Sequence, residues 1–231
     1  MPYKIDTHVH TSESSFCACV SAFDTVDLYK KASFDAIIIT NHFAHYCFDA
    51  LKGDSDSEKI TSWLSGYDLA EKRGKQVGLR VYLGMEINFP ENRNDYLVFG
   101  FDRNFLYENS RIAFSDLATF RAVTKGTDIC VFQAHPFRPN MIPVAQPFVD
   151  GIEIFNGNVR HCESNDKSDA WALDHNLLIS SGSDFHQIVD VARGGISVDT
   201  LPGSEAEIFS LLRSITRDNI IANPEGIPTH L

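Results

Sequence analysis

Two short runs of the sequence each place two potential metal ligands two positions apart. His8 and His10 follow an apolar segment near the start of the chain, and Asp184 and His186 are spaced in the same way near its end. Side chains two positions apart in an extended segment point to the same face, so either pair could hold one metal ion. Imidazole and carboxylate groups bind zinc, iron and manganese alike, so the pattern indicates a metal site without identifying the metal.

Further imidazole and carboxylate side chains occur in the same context, at the end of an apolar run. The candidate metal ligands are His8, His10, His42, Glu86, His135, Asp184 and His186. Buried groups of these types must be paired or bound to metal, so a set of this size at strand ends is not explained by packing alone. We therefore predict that these seven side chains form a metal site.

The apolar runs predict the scaffold that brings these residues together. Short runs alternate with amphipathic stretches, which is typical of strands and helices in an α/β fold. The predicted strands span 3–6, 36–40, 81–87, 96–101, 129–134, 151–155, 177–180 and 195–198, and the predicted helices span about 24–33, 57–77, 114–125, 163–175 and 204–217. We expect a parallel, helix-covered sheet, either closed as a barrel or open, with the ligands at the carboxyl ends of its strands.

Length and composition favour one domain in a reducing compartment. The 231 residues suffice for one large core, and we predict a single domain over 1–231. No stretch is long and apolar enough to span a bilayer, and the first residues lack the apolar segment of a secretion signal, so we expect a cytoplasmic protein. The cysteines are odd in number and irregularly spaced, which favours free thiols: Cys17, Cys19, Cys47, Cys130 and Cys162.

The net charge limits the partners that we expect. The chain has 20 Lys and Arg residues against 31 Asp and Glu residues, which gives a formal charge of −11. Such a surface repels polyanions, so nucleic acid is not an expected partner. A small phosphorylated substrate is compatible with this charge if bound cations hold it.

Six segments of the chain, in order, resemble the motifs of the PHP (polymerase and histidinol phosphatase) family. They are Asp6-Thr7-His8-Val9-His10-Thr11, Ile39-Thr40-Asn41-His42, Gly84-Met85-Glu86-Ile87, Ala134-His135-Pro136, Gly151-Ile152-Glu153-Ile154-Phe155-Asn156 and Gly182-Ser183-Asp184-Phe185-His186. The resemblance implies a distorted (β/α)7 barrel, similar to a TIM barrel, with a metal site at the C-terminal ends of the strands. It also implies two or three divalent ions, commonly zinc, manganese or iron, and hydrolysis of phosphate esters.

The resemblance assigns the ligands to separate ions. The first ion would be held by His8, His10, Glu86 and Asp184, a second by Glu86 and His135, and a third by His42 and His186. The chain departs from the family pattern in three places: Ser14-Ser15 stand where an acidic or histidine ligand often occurs, Asn41 replaces an aspartate, and no histidine lies between Glu86 and His135. Candidate substitutes for the missing ligands are Asp95, Glu13 or a cysteine.

We expect Glu86, Asp184 and His186 to be the catalytic residues. A hydroxide shared by two ions held by Glu86 would attack a phosphomonoester or phosphodiester in line. Two alternatives stay open. The same ions could activate water for hydrolysis of an amide or other non-phosphate bond, or the departures from the family pattern could mark a degenerate, non-catalytic metal-binding domain.

Other polar residues near the motifs are predicted to bind substrate or to support the ligands. A guanidinium suits bidentate phosphate binding, which makes candidates of Arg138, Arg160 and Arg193, with Arg138 first because prolines flank it. The predicted supporting residues are Asp6, Asn41, Glu153 and Asn156. Asp6 is expected to accept a hydrogen bond from the ring of His8 or His10, Asn41 could accept one in the same way, and Glu153 is expected to support His135 or the ligands.

Overall fold

The computed structural model describes residues 2–161 and 164–226, so Cys162 lies outside the described residues. The strands are β1 (Tyr3–Val9), β2 (Ala36–Ile39), β3 (His42–Ala44), β4 (Arg80–Leu83), β5 (Met85–Asn88), β6 (Asp95–Phe99), β7 (Cys130–Gln133), β8 (Gly151–Asn156), β9 (Leu178–Gly182), β10 (Gly194–Val198) and β11 (Ile220–Ala222). The α-helices are α1 (Ala22–Lys31), α2 (His45–Phe48), α3 (Asp56–Val77), α4 (Arg103–Glu108), α5 (Leu117–Val123), α6 (Asn165–Asp174) and α7 (Ile208–Leu212). The fold is therefore a mixed α/β fold, as predicted.

The strands form two sheets, and two segments of the chain each contribute one strand to both sheets. The order is β11-β10-β1-β2-β4 in one sheet and β3-β5-β6-β7-β8-β9 in the other. Only two residues separate β2 from β3, and Gly84 alone separates β4 from β5, so both of these segments pass from one sheet to the other. Backbone hydrogen bonds also link the end of β1 to Phe185, which follows β9. These pairings do not establish the closed seven-stranded barrel that the resemblance implies.

The prediction of a parallel sheet holds for only part of the structure. β6 is antiparallel to both β5 and β7, and β10 is antiparallel to both β1 and β11. β5 and β6 are joined by residues 89–94 without a helix, and a short connection of this kind joins antiparallel neighbours because a parallel pair needs a long crossover. Parallel pairing is kept between β1, β2 and β4, between β3 and β5, and between β7, β8 and β9.

Two of the predicted helices are shorter than expected. The helix predicted over 114–125 is α5 (Leu117–Val123). It begins at Leu117 because the Asp116 side chain accepts a hydrogen bond from the backbone N–H of Thr119 and so caps the helix. In place of 204–217, a 3-10 turn at Glu205–Glu207 precedes the five-residue α7. None of the helices in 2–161 and 164–226 combines the length and apolar character needed to cross a bilayer.

Polar side chains are buried where the strands end. The central strands are apolar, and β2 (Ala36–Ile39) is buried along its whole length. Beside this core lie buried charged or imidazole side chains, which are Asp6, His8, His10, Glu86, His135, Glu153, Asp184, His186 and Asp190. The two sheets therefore bring the predicted ligands to one region of the molecule.

Candidate metal centre

Glu86, in β5, lies at the centre of four predicted histidine ligands. Its carboxylate oxygens are 2.8 Å from Nδ1 of His42, 3.0 Å from Nε2 of His135, 3.3 Å from Nε2 of His8 and 3.4 Å from Nε2 of His10. The side chains of Glu86, His8 and His10 are fully shielded from solvent. One buried carboxylate therefore faces four imidazoles, which is more than a simple ion pair requires.

Asp184 completes the cluster from the segment that follows β9. Its Oδ1 atom lies 3.4 Å from Nε2 of His8, 3.5 Å from Nε2 of His10 and 3.3 Å from Nδ1 of His186. Three groups of side chains have ligand atoms within 4.8 Å of one another: His8, Glu86 and His135; His8, His10 and Asp184; and His10, His42 and His186. The structure therefore brings all seven predicted ligands together.

Two buried ring nitrogens of this cluster have no hydrogen-bond partner among the described residues. They are Nε2 of His8 and Nε2 of His10. An unsatisfied buried polar atom costs about 1–3 kcal/mol, and native proteins leave few of them. A cation between these atoms would satisfy them, and nitrogen and carboxylate donors suit zinc, iron and manganese. The residues present therefore fit a divalent metal ion.

The ring of His8 is held from behind by Glu153, in β8. Nδ1 of His8 lies 2.9 Å from Oε1 of Glu153, while Oε2 of Glu153 accepts hydrogen bonds from the backbone N–H of His135 (3.0 Å) and from the Asn156 amide (2.8 Å). Metal-binding histidines usually donate their remote ring N–H to such a carboxylate. The structure thus places Glu153 behind two predicted ligands, with Asn156 beside it.

His10 is held by a relay through Ser15 to Asn41. The Asn41 Oδ1 atom accepts from the backbone N–H of Thr11 (2.8 Å), which sets the orientation of the amide, and it also accepts the Ser15 hydroxyl proton (3.0 Å). Ser15 Oγ, 3.1 Å from His10 Nδ1, can then only accept from that ring nitrogen. Nε2 of His10 therefore carries the lone pair, and it faces the cluster.

The role predicted for Asn41 is corrected by this relay. The Asn41 side chain acts on the imidazole of His10 through the hydroxyl of Ser15 and does not contact the ring directly. Ser15 Oγ also accepts the backbone N–H of His42 at 2.9 Å. Ser15 was not among the predicted site residues. Its signal in the sequence was its place at the position where the family often has an acidic or histidine ligand.

Asp6 does not accept a hydrogen bond from an imidazole, so its predicted role is also corrected. Its Oδ1 atom accepts from the backbone N–H groups of His8 (3.1 Å) and Ser183 (3.0 Å), and the Tyr29 hydroxyl donates to Oδ2 (2.7 Å). Burial raises the pKa of Asp6 to about 6, against the effect of these hydrogen bonds. Asp6 therefore positions ligands through the backbone by tying β1 to the segment before Asp184.

Burial and neighbouring charges set the ionisation of the cluster. Burial opposes ionisation of Glu86, but the imidazoles of His42 and His8 hold the pKa of its carboxyl well below the usual value. Burial likewise opposes ionisation of Asp184, and here His8 and Arg138 keep the pKa low. Cationic neighbours therefore keep both carboxylates ionised.

The imidazoles of the cluster differ from one another. Burial lowers the pKa of His10, and the neighbouring imidazoles lower it further. Burial also opposes the charged forms of His8 and His42, but nearby carboxylates raise the pKa of both rings well above the usual value. Metal binds ionised carboxylates and neutral imidazoles, so a cation would replace the protons on these two rings.

Local backbone strain accompanies two of the ligands. His135 and Asp184 have positive φ angles of 28° and 50°, a conformation that residues other than glycine rarely adopt. Strain of this kind is tolerated where the surrounding contacts fix the residue, and it is frequent at functional sites. Asn158, which sequence reasoning missed, contributes such contacts because its amide donates to the backbone and carboxylate oxygens of Asp184 at 3.2 and 3.3 Å.

Arg138 is the predicted phosphate-binding arginine that lies at the cluster. Its Nη2 atom is 2.5 Å from Oδ2 of Asp184 and 3.3 Å from Oδ1 of Asn156. The side chain is largely buried, with 13% of its surface exposed. The structure thus places a guanidinium directly beside a predicted ligand.

Arg160 and Arg193 are engaged in structural contacts instead. Arg160 lies 2.6 and 2.7 Å from the two oxygens of the buried Asp190, which also accepts the backbone N–H of His186 at 3.0 Å. Arg193 donates to the backbone carbonyl oxygens of Val189, Pro224 and Glu225. Arg160 and Arg193 therefore contact Asp190 and backbone carbonyls and no predicted ligand, so their positions do not support the predicted phosphate-binding role.

The three candidate substitutes for missing ligands also differ in position. Asp95 has Oδ2 at 4.0 Å from Nε2 of His135, and Cys17 has Sγ at 3.1 Å from Nε2 of His186. Glu13 instead accepts the backbone N–H of Ala22 with both oxygens at 3.0 Å, at the start of α1. Asp95 and Cys17 therefore lie beside predicted ligands, whereas Glu13 caps a helix.

Comparison with known proteins adds evidence on the fold. No protein-family model and no curated protein matches the sequence. A two-domain protein from Bacteroides vulgatus ATCC 8482, containing a predicted PHP-like metal-dependent phosphoesterase, aligns with a TM-score of 0.63 and 17% identity over 97% of this chain. The chain spans 64% of the length of that protein.

Two further solved structures share the fold. One is from Bifidobacterium adolescentis ATCC 15703, and its assignment as a metal-dependent phosphoesterase is itself a prediction; it has a TM-score of 0.56 and 15% identity, with 94% of this chain and 99% of that chain covered. The other is an amidohydrolase from Chromobacterium violaceum with bound SO4 and no metal, with a TM-score of 0.53 and 14% identity, covering 91% of this chain and 96% of that chain. At such identities these neighbours show that the fold is shared, and the family resemblance has no family model to confirm it.

Proposed function

We propose that the protein is a metal-dependent hydrolase that cleaves a small phosphate ester. The observation that carries the proposal is the buried carboxylate of Glu86 among four imidazoles, with Nε2 of His8 and Nε2 of His10 left without hydrogen-bond partners. The fold is shared with proteins described, by prediction, as metal-dependent phosphoesterases. Ions would be held by His8, His10, Glu86 and Asp184, by Glu86 and His135, and by His42 and His186.

Divalent ions at these positions would lower the pKa of a bound water and neutralise charge on the phosphate. The side chains of the protein determine access and orientation. His42 and His186 are 20% and 11% exposed, whereas His8 and His10 are fully shielded. Substrate therefore reaches the cluster from the side of His42 and His186, and the shielded rings of His8 and His10 are held in place by Glu153 and Ser15.

The position of Arg138 favours a phosphate ester over an uncharged molecule as the substrate. The protein has a net charge of −11, so its surface as a whole does not attract an anion. Arg138 places a planar guanidinium beside Asp184, in the connection between β7 and β8, and this group matches the oxygen atoms of a phosphate. Hydrolysis of an uncharged amide has no need of such a group.

A second candidate function is hydrolysis of an amide or other non-phosphate bond. It is favoured by the structural similarity to the amidohydrolase from Chromobacterium violaceum, which was solved with bound SO4. The same ligand set would serve either reaction, because metal-activated water attacks carbonyl carbon as well as phosphorus. The choice of substrate therefore separates the two candidates.

The test compares chelated protein with protein loaded with zinc, manganese or iron, on a phosphomonoester, a phosphodiester and an amide substrate. We expect phosphate-ester turnover only in loaded protein, abolished by His8→Ala and kept by the control His175→Ala, whose ring stacks on Trp171 at 3.8 Å. Turnover of amides alone would favour the second candidate. Metal binding without any turnover would indicate a non-catalytic domain, and turnover in chelated protein would contradict metal dependence.

A further inference from the structure

Cys17 lies at the solvent-facing end of the metal cluster. Its Sγ atom is 3.1 Å from Nε2 of His186. The other ring nitrogen of His186 contacts the backbone oxygen of Asp184 at 2.9 Å, so Nε2 is the nitrogen left to face the sulfur. The backbone N–H of Cys19 donates to the carbonyl of His186 at 2.8 Å. This hydrogen bond holds the residues around Cys17 against the segment that follows β9.

Three imidazoles meet at the same end of the cluster. The ring nitrogens of His10, His42 and His186 lie within 4.8 Å of one another, and the ring of His10 is 4.2 Å from that of His186 and 4.5 Å from that of His42. Nε2 of His10 is buried and has no hydrogen-bond partner in the part of the chain that the structure describes. Adjacent imidazoles gain little from one another, whereas a shared cation would engage their lone pairs. This end of the cluster therefore has the character of a ligand site.

The sequence position at which an acidic ligand would complete this end holds a serine. Ser15 stands at the corresponding sequence position and is committed to His10 and Asn41. Glu13, the nearest acidic residue in sequence, caps α1. Cys17 instead brings a metal-binding sulfur atom into contact with His186, whose ring lies 5.8 Å from that of His42.

We propose that Cys17 is a thiolate ligand of a divalent cation that His42 and His186 hold. The proposal rests on the proposed function, since it concerns one end of the same metal centre. On binding, the S–H bond breaks, a sulfur–metal bond forms and the proton passes to solvent. Sulfur is a soft ligand, so this end of the cluster selects zinc or cobalt over magnesium or manganese, which favour oxygen ligands.

The first test uses cobalt as a spectroscopic substitute for zinc in the reduced, full-length, metal-free protein. Thiolate coordination gives a ligand-to-metal charge-transfer band in the near ultraviolet, which nitrogen and oxygen ligands do not. We expect the band in the wild-type protein and in Cys19→Ser, and its loss in Cys17→Ser. Cys19 is a matched control because it is exposed and its Sγ donates to the carbonyl of Cys17, at 3.9 Å.

The outcomes separate this proposal from the proposed function. Cobalt bound without the band, or a band that survives Cys17→Ser and disappears in Cys47→Ser, overturns the role of Cys17 and leaves the metal centre intact. Failure of the wild-type protein to bind cobalt at all contradicts the metal-dependent function and this proposal with it.

A second measurement needs only the wild-type chain, so it does not depend on whether Cys17→Ser folds. The protein is alkylated with iodoacetamide with and without zinc, and the modified peptides are quantified by mass spectrometry. Because only the free thiolate is a nucleophile, zinc should slow alkylation of Cys17 about tenfold while Cys19 reacts at the same rate in both samples. Equal rates for Cys17 with and without zinc would overturn the proposal.

Discussion

Nδ1 of His8 lies 2.9 Å from Oε1 of Glu153, and both side chains are fully shielded from solvent. The two residues are 145 positions apart in the sequence, so the fold and not a local motif creates the contact. Glu153 also accepts the backbone N–H of His135 at 3.0 Å. One carboxylate therefore orients the ring of one predicted ligand and the backbone of another.

Replacing Glu153 tests this support directly. In Glu153→Gln the charged acceptor of the His8 ring is lost, and we expect zinc affinity to fall about 10- to 100-fold, which is the usual effect of removing a partner behind a ligand. Competition with a chromophoric chelator measures the change. The exposed Glu108 provides a matched control, since Glu108→Gln should leave the affinity unchanged. Equal affinities of both variants and the wild type would show that Glu153 does not support the metal site.

Ser15→Ala tests the relay that sets the tautomer of His10. Without the hydroxyl, His10 Nδ1 loses its acceptor and the ring is free to carry its proton on Nε2, the atom that faces the cluster. We expect zinc affinity to fall about tenfold. The neighbouring Ser12 is exposed and is the natural control, with Ser12→Ala expected to bind zinc like the wild type. Unchanged affinity in Ser15→Ala would argue against the relay.

Arg138→Gln and Arg160→Gln separate phosphate binding from structural support. A hydrogen bond to a charged group contributes about 1.5–3 kcal/mol, so Arg138→Gln should raise KM for a phosphate ester about tenfold or more without loss of metal. Arg160→Gln should leave KM unchanged but lower the free energy of unfolding, because it leaves the buried carboxylate of Asp190 without its cationic partner. Steady-state kinetics, metal analysis and denaturant unfolding measure these effects. Loss of metal in Arg138→Gln would show that Arg138 supports a ligand instead.

Gly182→Ala probes the close approach of β9 to the ligands. A Cβ atom at Gly182 would lie 2.3 Å from Cβ of His8 and 3.0 Å from Oε1 of Glu153, so the strand or His8 must move. Overpacking of this kind costs about 1–3 kcal/mol, and we expect both lower stability and lower metal content. At Gly203 the added atom would meet only the flexible carboxylate of Glu207, at 3.1 Å, so Gly203→Ala should behave like the wild type. Normal metal content in Gly182→Ala would contradict the role of this contact.

The ligand residues could be predicted from the sequence because their signal is local. His8 and His10 are two positions apart in an extended segment, and their rings lie 5.1 Å apart in the structure. Apolar runs also placed most strands of the mixed α/β fold within a few residues. The antiparallel direction of β6 does not follow from apolar periodicity. Its signal in the sequence was the connection 89–94, which is too short for the crossover that a parallel pair needs.

The residues that support the ligands could be identified only in part. Glu153 drew attention because a carboxylate inside an apolar strand needs a partner. The signal of Ser15 was weaker, because only its position in the family pattern marked it, and its role follows from contacts with His10 and Asn41 that the fold creates. In the same way, nothing in the sequence indicated that Arg160 is held by Asp190, thirty positions away.

The most direct test of the account is a crystal structure of zinc-loaded protein with anomalous scattering recorded on both sides of the zinc absorption edge. The account predicts at least one anomalous peak bound by Nε2 of His8 and Nε2 of His10, at the roughly 2.0–2.1 Å expected for zinc–nitrogen bonds. It further predicts that Asp184 and Glu86 contribute the oxygen ligands. Fully loaded crystals without an anomalous peak among these four side chains would contradict it.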